Sequence, residues 1–255
     1  MLFKTIFADL PIAINVNSPN IEGFLDEYLV DEATQGVFSV SVGMEEIYVE
    51  DDKTSGIHFS VSYLETLAIL RKISEILPSY QRFLMHGATI SYEGKGYMFT
   101  ALSGVGKSTH IKLWKKYFGD KVTIVNGDKP FLWVKDEEVR VYGSPWAGKE
   151  HWHTNTSAAL NGICFLKRGM ENRISRISPE DCLPLMMRQV YWPADSITAG
   201  MTLELLDKML KLVPLYVLEC DISEDAVQTS FETLTGLNYE ASRVKENRED
   251  CTYAD

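Results

Sequence analysis

The sequence predicts an α/β fold with a mixed β-sheet, preceded by a small β-rich module. Three observations carry this expectation. Residues 1–82 alternate apolar and polar side chains in short runs. Residues 97–118 read as a strand, a glycine-rich loop and an amphipathic helix in immediate succession. Strand-like and helix-like patterns then alternate to about residue 235, as expected for strands covered by helices. The expected division is a module over 1–82 with one helix, a larger domain over 83–238 and a polar tail over 239–255.

Within the module, Ile12, Ile14 and Val16 alternate with Ala13, Asn15 and Asn17, and Phe38, Val40 and Val42 alternate with Ser39, Ser41 and Gly43. Ile57, Phe59 and Val61 do the same with His58, Ser60 and Ser62, which gives three half-buried strands. The helix that follows places Leu67, Leu70, Ile73 and Leu77 on one stripe, with Arg71, Lys72 and Glu75 off it and Pro78 beyond its end.

The larger domain opens with a strand over 85–91, a turn over 93–96 and a second strand over 97–101. The helix after Lys107 buries Ile111, Trp114 and Phe118, and Gly119 suits the position just past its end. A strand over 122–125 follows, and residues 131–134 and 139–142 form a hairpin. A strand over 159–166, helices near 180–190 and 202–212, a strand over 215–218 and a helix from about Glu224 complete the domain.

Composition sets the limits. The 255 residues are 45% hydrophobic and 24% charged, an ordinary globular balance. A net charge of −11 speaks against nucleic-acid or anionic-membrane partners, which call for a basic face. No apolar run is long enough to span a bilayer, and Asp9 and Pro11 interrupt the apolar N-terminus, so no signal peptide is expected. Cys164, Cys182, Cys220 and Cys251 lack metal-type spacing, and a reduced, cytoplasmic setting is expected.

The chemistry concentrates in Ser103-Gly104-Val105-Gly106-Lys107-Ser108-Thr109. Such a loop between strand and helix is a phosphate-binding loop, or P-loop. Glycines let the backbone wrap a phosphate without Cβ clashes, and the helix start adds its dipole. Lys107 would neutralise the β- and γ-phosphates of ATP, and the Ser108 hydroxyl would ligate Mg²⁺. The first glycine usual in this motif is Ala101 here, which is tolerable if its φ is negative.

Three further motifs fall near predicted strand ends, where ligands gather in open α/β sheets. They are Met85-His86-Gly87, Asn126-Gly127-Asp128-Lys129-Pro130 and Pro145-Trp146-Ala147-Gly148-Lys149-Glu150. Asp128 lies about twenty residues after Lys107, where a carboxylate can approach the Mg²⁺, although Asn-Gly-Asp is also ordinary turn chemistry. Lys149 suits a phosphate-neutralising cation and Glu150 a weaker helper. His151 and His153 would share a face in a strand, as paired metal ligands can, but no third ligand is evident. Arg168 and Arg188 are candidate transition-state cations, although a solvated surface charge is the commoner reading of each, while Trp114, Phe118 and Trp146 read as core.

In this order, His86, Ser103 to Ser108 and Asp128 resemble the HPr kinase/phosphorylase family. More distantly, they resemble ATP-dependent phosphoenolpyruvate carboxykinase, which shares its nucleotide-binding core. The bacterial HPr-kinase-like proteins, some found with peptide-modification genes, look similar again through Asn-x-Asp-Lys-Pro and Pro-Trp-x-Gly-Lys. The resemblance spans roughly residues 84–235 and implies a P-loop-containing HPr-kinase/carboxykinase-like core with a mixed β-sheet. By resemblance Asp128 would also accept the acceptor-hydroxyl proton, with His86 and Lys149 beside it. Gly127 departs from the family, standing where the first of two aspartates is common, and the extra elements of a carboxykinase are absent.

The resulting expectation is a cytoplasmic, ATP- and Mg²⁺-dependent kinase. Its acceptor is a hydroxyl on a peptide, a small protein or a small alcohol, with serine favoured. Self-association into a homo-oligomer is compatible with the chain. The rival is an ATP-binding regulatory module without phosphoryl transfer, for which the glycine at 127 is the best support. A switch that hydrolyses its nucleotide ranks below both.

Overall fold

Two sheets organise the chain in the computed structural model, which describes residues 1–52 and 59–244. β1 (Leu2–Phe7) and β2 (Leu10–Asn15) form an antiparallel hairpin, and β3 (Phe38–Ser41) adds in parallel to β2. Ala8 and Asp9 reverse the hairpin with positive φ at both, the conformation that two-residue turns demand. α1 (Glu22–Leu25), α2 (Met44–Asp52) and α3 (Val61–Ile76) complete this N-terminal part. α2 escaped the sequence reading because it is crowded with acidic residues and carries no apolar stripe.

The strand expected over 57–62 does not form over its described positions, 59–62. Positions 57 and 58 lie outside the described residues, and Val61 and Ser62 open α3. Ser60 caps that helix, its hydroxyl accepting from the Tyr63 amide at 3.2 Å. A cap followed by apolar positions at helical spacing outweighs a short alternation.

The second sheet contains β4 (Arg82–Leu84), β5 (Ala88–Tyr92), β6 (Lys95–Thr100), β7 (Val122–Asn126), β8 (Phe131–Lys135), β9 (Glu138–Tyr142) and β10 (Ser157–Arg168). Their spatial order is β4-β8-β9-β10-β6-β5-β7, with β12 (Leu215–Cys220) parallel to β10 and β11 (Arg173–Arg176) antiparallel to β12. β10 begins antiparallel to β9 and continues parallel to β6, which makes the sheet mixed.

The strand expected over 85–91 forms only from Ala88, as β5; β4 ends at Leu84, and Met85 makes an isolated bridge to Val190. β4 pairs with β8, and β5 pairs with β6 and β7. Between them the chain leaves the ladder because its amides bond to loops: His86 N–H to Gln189 O at 2.7 Å, and Gly87 N–H to Asp128 O at 2.9 Å. His86 therefore sits at a step between strands, where its side chain is free to face a cleft.

β6 shows how the faces are shared. Tyr97 and Phe99 point into one cluster with Ile111, Trp114 and Phe118 of α4 (Lys107–Phe118) and Val227 and Phe231 of α7 (Glu224–Thr235). Met98 points into the opposite cluster, with Cys182 and Met186 of α5 (Pro179–Met186) and Leu206 of α6 (Ser196–Leu212). α8 (Tyr239–Ser242) follows α7, and residues 245–255, including Cys251 and most of the expected tail, lie outside the described residues. Burial pushes the Cys182 thiol up to about 12 and Cys220 to about 11, so both are poor nucleophiles.

The N-terminal part shares its core with the rest. Its cluster around Phe7, Ile12 and Leu70 includes Leu84, Phe131, Tyr142 and Trp146 from beyond residue 82. Trp146 Nε1 donates to Thr66 O at 2.9 Å, and Tyr142 OH donates to Asp9 at 2.5 Å. The two sheets are thus held by apolar burial with a few aimed hydrogen bonds.

α4 is tied to α7 through His110. Its imidazole Nε2 lies 3.0 Å from Ser230 Oγ, and the Trp114 indole N–H donates to that same Nε2 at 3.2 Å. Burial pushes the His110 ring down from 6.5 to about 3. Below about pH 6.5 the unfolded chain takes up a proton here that the folded chain refuses, so stability falls with pH until about 3. The expected slope from this ring is up to about 1.4 kcal/mol per pH unit. Denaturant unfolding of the wild type and His110→Gln between pH 7 and 5 checks it; equal slopes in both proteins would refute it.

Candidate functional site

The loop between β6 and α4 is built by two glycines with positive φ, +78° at Gly104 and +127° at Gly106, at positions where an added Cβ would meet nothing. Conformation, not crowding, is what calls for glycine there. Ala101 is not among the positive-φ residues, so the departure from the usual first glycine leaves its backbone unstrained. α4 starts at Lys107, and the Gly106 carbonyl accepts its first bond, from the His110 amide at 2.9 Å. The remaining amides of that first turn have no helical partner of their own and favour an anion.

Lys107 is 8% exposed. Among the described residues its one hydrogen bond runs to Ala101 O at 3.2 Å. Burial lowers its pKa, opposed by the field of Asp128. A buried ammonium with a single neutral partner is an incompletely satisfied cation.

Asp128 is placed by a turn around a fully buried Asn126. The Asn126 side-chain oxygen accepts from the Asp128 and Lys129 amides at 2.8 and 2.7 Å, and its Nδ2 donates to Ser144 O at 2.9 Å. Both readings of Asn-Gly-Asp therefore meet: the asparagine makes the turn, and the turn presents the aspartate. His86 Nε2 lies 3.0 Å from Asp128 Oδ1, and Lys129 Nζ donates to Oδ2 at 2.8 Å. Burial works against the Asp128 charge, but His86 and Lys129 outweigh it and hold the carboxyl well below the usual range.

Gly127 sits where backbone approaches closely. A Cβ there would come within 3.1 Å of Ala147 O and 3.3 Å of Trp152 O, and its amide donates to Trp152 O at 2.8 Å. Backbone crowds that side, so a side chain there would require its neighbours to give by a few tenths of an ångström. Gly148, with φ +76°, brings the next loop against Asp128, its ideal Cβ position being 3.1 Å from that of the aspartate.

These parts line one open cleft of about 860 Å³. Ser103, Gly104, Gly106, Lys107, Ser108 and Thr109 form one wall. His86, Asp128 and Lys129 lie beside it, with Lys149 and Glu150 exposed at the rim. Phe24, Phe59, Tyr63 and Leu67 of the N-terminal part add an apolar wall. Of the residues expected at the site, Val105 lines a neighbouring cavity instead. Arg168 touches the loop by donating to Gly104 O, whereas Arg188 is exposed and lines neither cavity.

Besides the apolar wall, two polar site residues were missed in the sequence. Lys129 stood inside a recognised motif without a role, and Gln189, whose Oε1 lies 3.2 Å from His86 Nδ1, carries no local signal at all. His151 and His153 do not form a pair of ligands on a strand. His151 has a positive φ of 52° in a turn, and His153 lies 3.2 Å from the Tyr28 hydroxyl. Among the described residues no group of three or more His, Cys, Asp or Glu could hold a metal ion.

No protein-family model and no curated protein matches this chain. Among solved structures, the Hpr(Ser) kinase/phosphatase from Coxiella burnetii is similar at 10% identity and a TM-score of 0.34, over 59% of this chain and 92% of that one. A likeness so slight bears on neither activity nor residues, and the chemistry rests on the cleft itself. No described helix is long and apolar enough to cross a membrane.

Proposed function

We propose that this chain is an ATP-dependent phosphotransferase acting on a hydroxyl, most simply a serine of a peptide or small protein, or a small alcohol. One observation carries it: a buried, under-partnered Lys107 ammonium at a glycine-rich helix start shares a cleft with an ionised Asp128. A triphosphate along residues 103–109 supplies the anion that Lys107 lacks. Lys149 and Lys129 neutralise further charge, which is most of what phosphoryl transfer asks of a protein.

Mg²⁺ fits this donor set as it usually binds, through few protein oxygens together with phosphates and water. Ser108 Oγ and Asp128 would hold it, and it would neutralise charge on the β- and γ-phosphates. Asp128, strongly ionised, is a weak base. Its service to the acceptor is orientation of the hydroxyl more than early proton removal, which a loose transition state tolerates. The apolar wall of Phe24, Phe59, Tyr63 and Leu67 gives an acceptor with an apolar portion something to contact.

Titrating MgATP into the protein by calorimetry, then incubating with labelled ATP and serine-containing peptides, tests the reading. Micromolar binding with label transferred to an acceptor is expected; absence of any binding heat sinks it. The second reading, a nucleotide sensor without transfer, is favoured by the glycine at 127, which leaves the site without a second carboxylate at a position backbone crowds. Binding without transfer to any acceptor would select it.

A further inference from the structure

A second cavity, of about 380 Å³, shares Gly104, Gly106 and Thr109 with the cleft but is not lined by Lys107 or Asp128. Val105, Leu113, Leu166 and Ile222 give it apolar walls, and Ile222 is 75% exposed at its rim. His110, 3% exposed, also lines it. The Trp114 indole hydrogen is aimed at His110 Nε2 and at Ser230 Oγ, while the Ser230 hydroxyl has Val227 O at 3.0 Å to donate to. Nε2 is therefore an acceptor, which assigns the proton of the neutral ring to Nδ1. Nδ1 has no hydrogen-bond partner among the described residues.

We propose that this cavity receives the purine base of the nucleotide whose phosphates the loop holds, with His110 Nδ1–H donating to a ring nitrogen. The inference rests on the phosphate-binding role proposed above. Thr109 joins the two spaces, so one ligand can leave its phosphates in the cleft and carry its base past the first turn of α4. Flat apolar rings suit walls of valine, leucine and isoleucine, and an unpartnered ring N–H at the cavity suits the in-plane lone pair of a purine nitrogen. Arg168, whose guanidinium donates to Gly104 O, lines the same cavity and braces the loop between the two spaces.

Calorimetric titration of the wild type and Ile222→Asp with MgATP and, separately, with magnesium tripolyphosphate tests this. Ile222 is exposed, so the variant folds. The wild type is expected to prefer ATP to tripolyphosphate by at least about tenfold. Ile222→Asp should weaken ATP about tenfold while changing tripolyphosphate by less than about twofold, and Leu113→Ala should split the two ligands in the same sense. Equal losses for both ligands, or no loss for ATP, would overturn the base site. Equal wild-type affinity for the two ligands would overturn it while leaving the loop's role standing. A wild type that binds neither ligand would remove the phosphate reading and this one with it.

Discussion

Lys107→Ala is expected to lower phosphoryl transfer at least about a hundredfold while leaving the fold as stable as before or more so. The two halves of this expectation have one cause. Lys107 is 8% exposed, and its hydrogen bond to Ala101 O at 3.2 Å is the one it makes among the described residues. Its pKa is lowered, first by burial. Removing a buried charge that is poorly compensated relieves the folded state of a desolvation cost. A triphosphate, by contrast, loses the ammonium that meets its terminal anions, worth about 3–4 kcal/mol in a site kept partly from water. Thermal unfolding and initial rates at saturating acceptor check both halves. A variant that unfolds tens of degrees earlier would mean that the lysine serves the fold; one with full activity would end the phosphotransferase reading.

Asp128→Asn should reduce transfer by about 10²–10⁴-fold with a smaller loss of MgATP affinity, because the loop and Lys107 remain. Its stability effect has a definite pH signature. Burial raises the Asp128 pKa, but His86 at 3.0 Å and Lys129 at 2.8 Å more than reverse this, so the folded value lies below the unfolded one. The stabilisation is therefore complete above the unfolded value of about 3.9 and disappears as the pH falls towards the folded one. At neutral pH the asparagine variant should be about 1–2 kcal/mol less stable, and the gap should close in strong acid. A gap that stays constant from neutral pH down to about pH 2 would mean that Asp128 contributes by shape alone. His86→Gln, which keeps a donor near Asp128, should lose less of both effects than Asp128→Asn.

Much of the fold was legible because its elements are signalled locally. The alternation at Ile12 and Ile14, the hairpin on either side of 135–138, and the stripe Ile111, Trp114 and Phe118 each form as the periodicity demands. The errors fall where a local signal was overruled or missing. Residues 85–91 looked like one strand, yet Gln189 and Asp128 take the amides of His86 and Gly87, and the strand begins only at Ala88. Residues 61 and 62 looked like the end of a strand, yet Ser60 caps a helix there. α2 and β11 have too little apolar pattern to announce themselves.

By itself, the sequence determined the strand–loop–helix unit at Lys107, because two positive-φ glycines and a helix start within a few residues leave the backbone little choice. It also determined the turn that presents Asp128, since an asparagine bonds to amides two and three residues on. Only the tertiary structure decided that His86, Gln189 and Lys129 converge around that carboxylate, and that backbone crowds position 127. It alone put Phe24 and Tyr63 opposite the loop. Those contacts join residues up to about a hundred positions apart, and distances of that kind are fixed by how buried faces pack against each other, not by any periodicity along the chain.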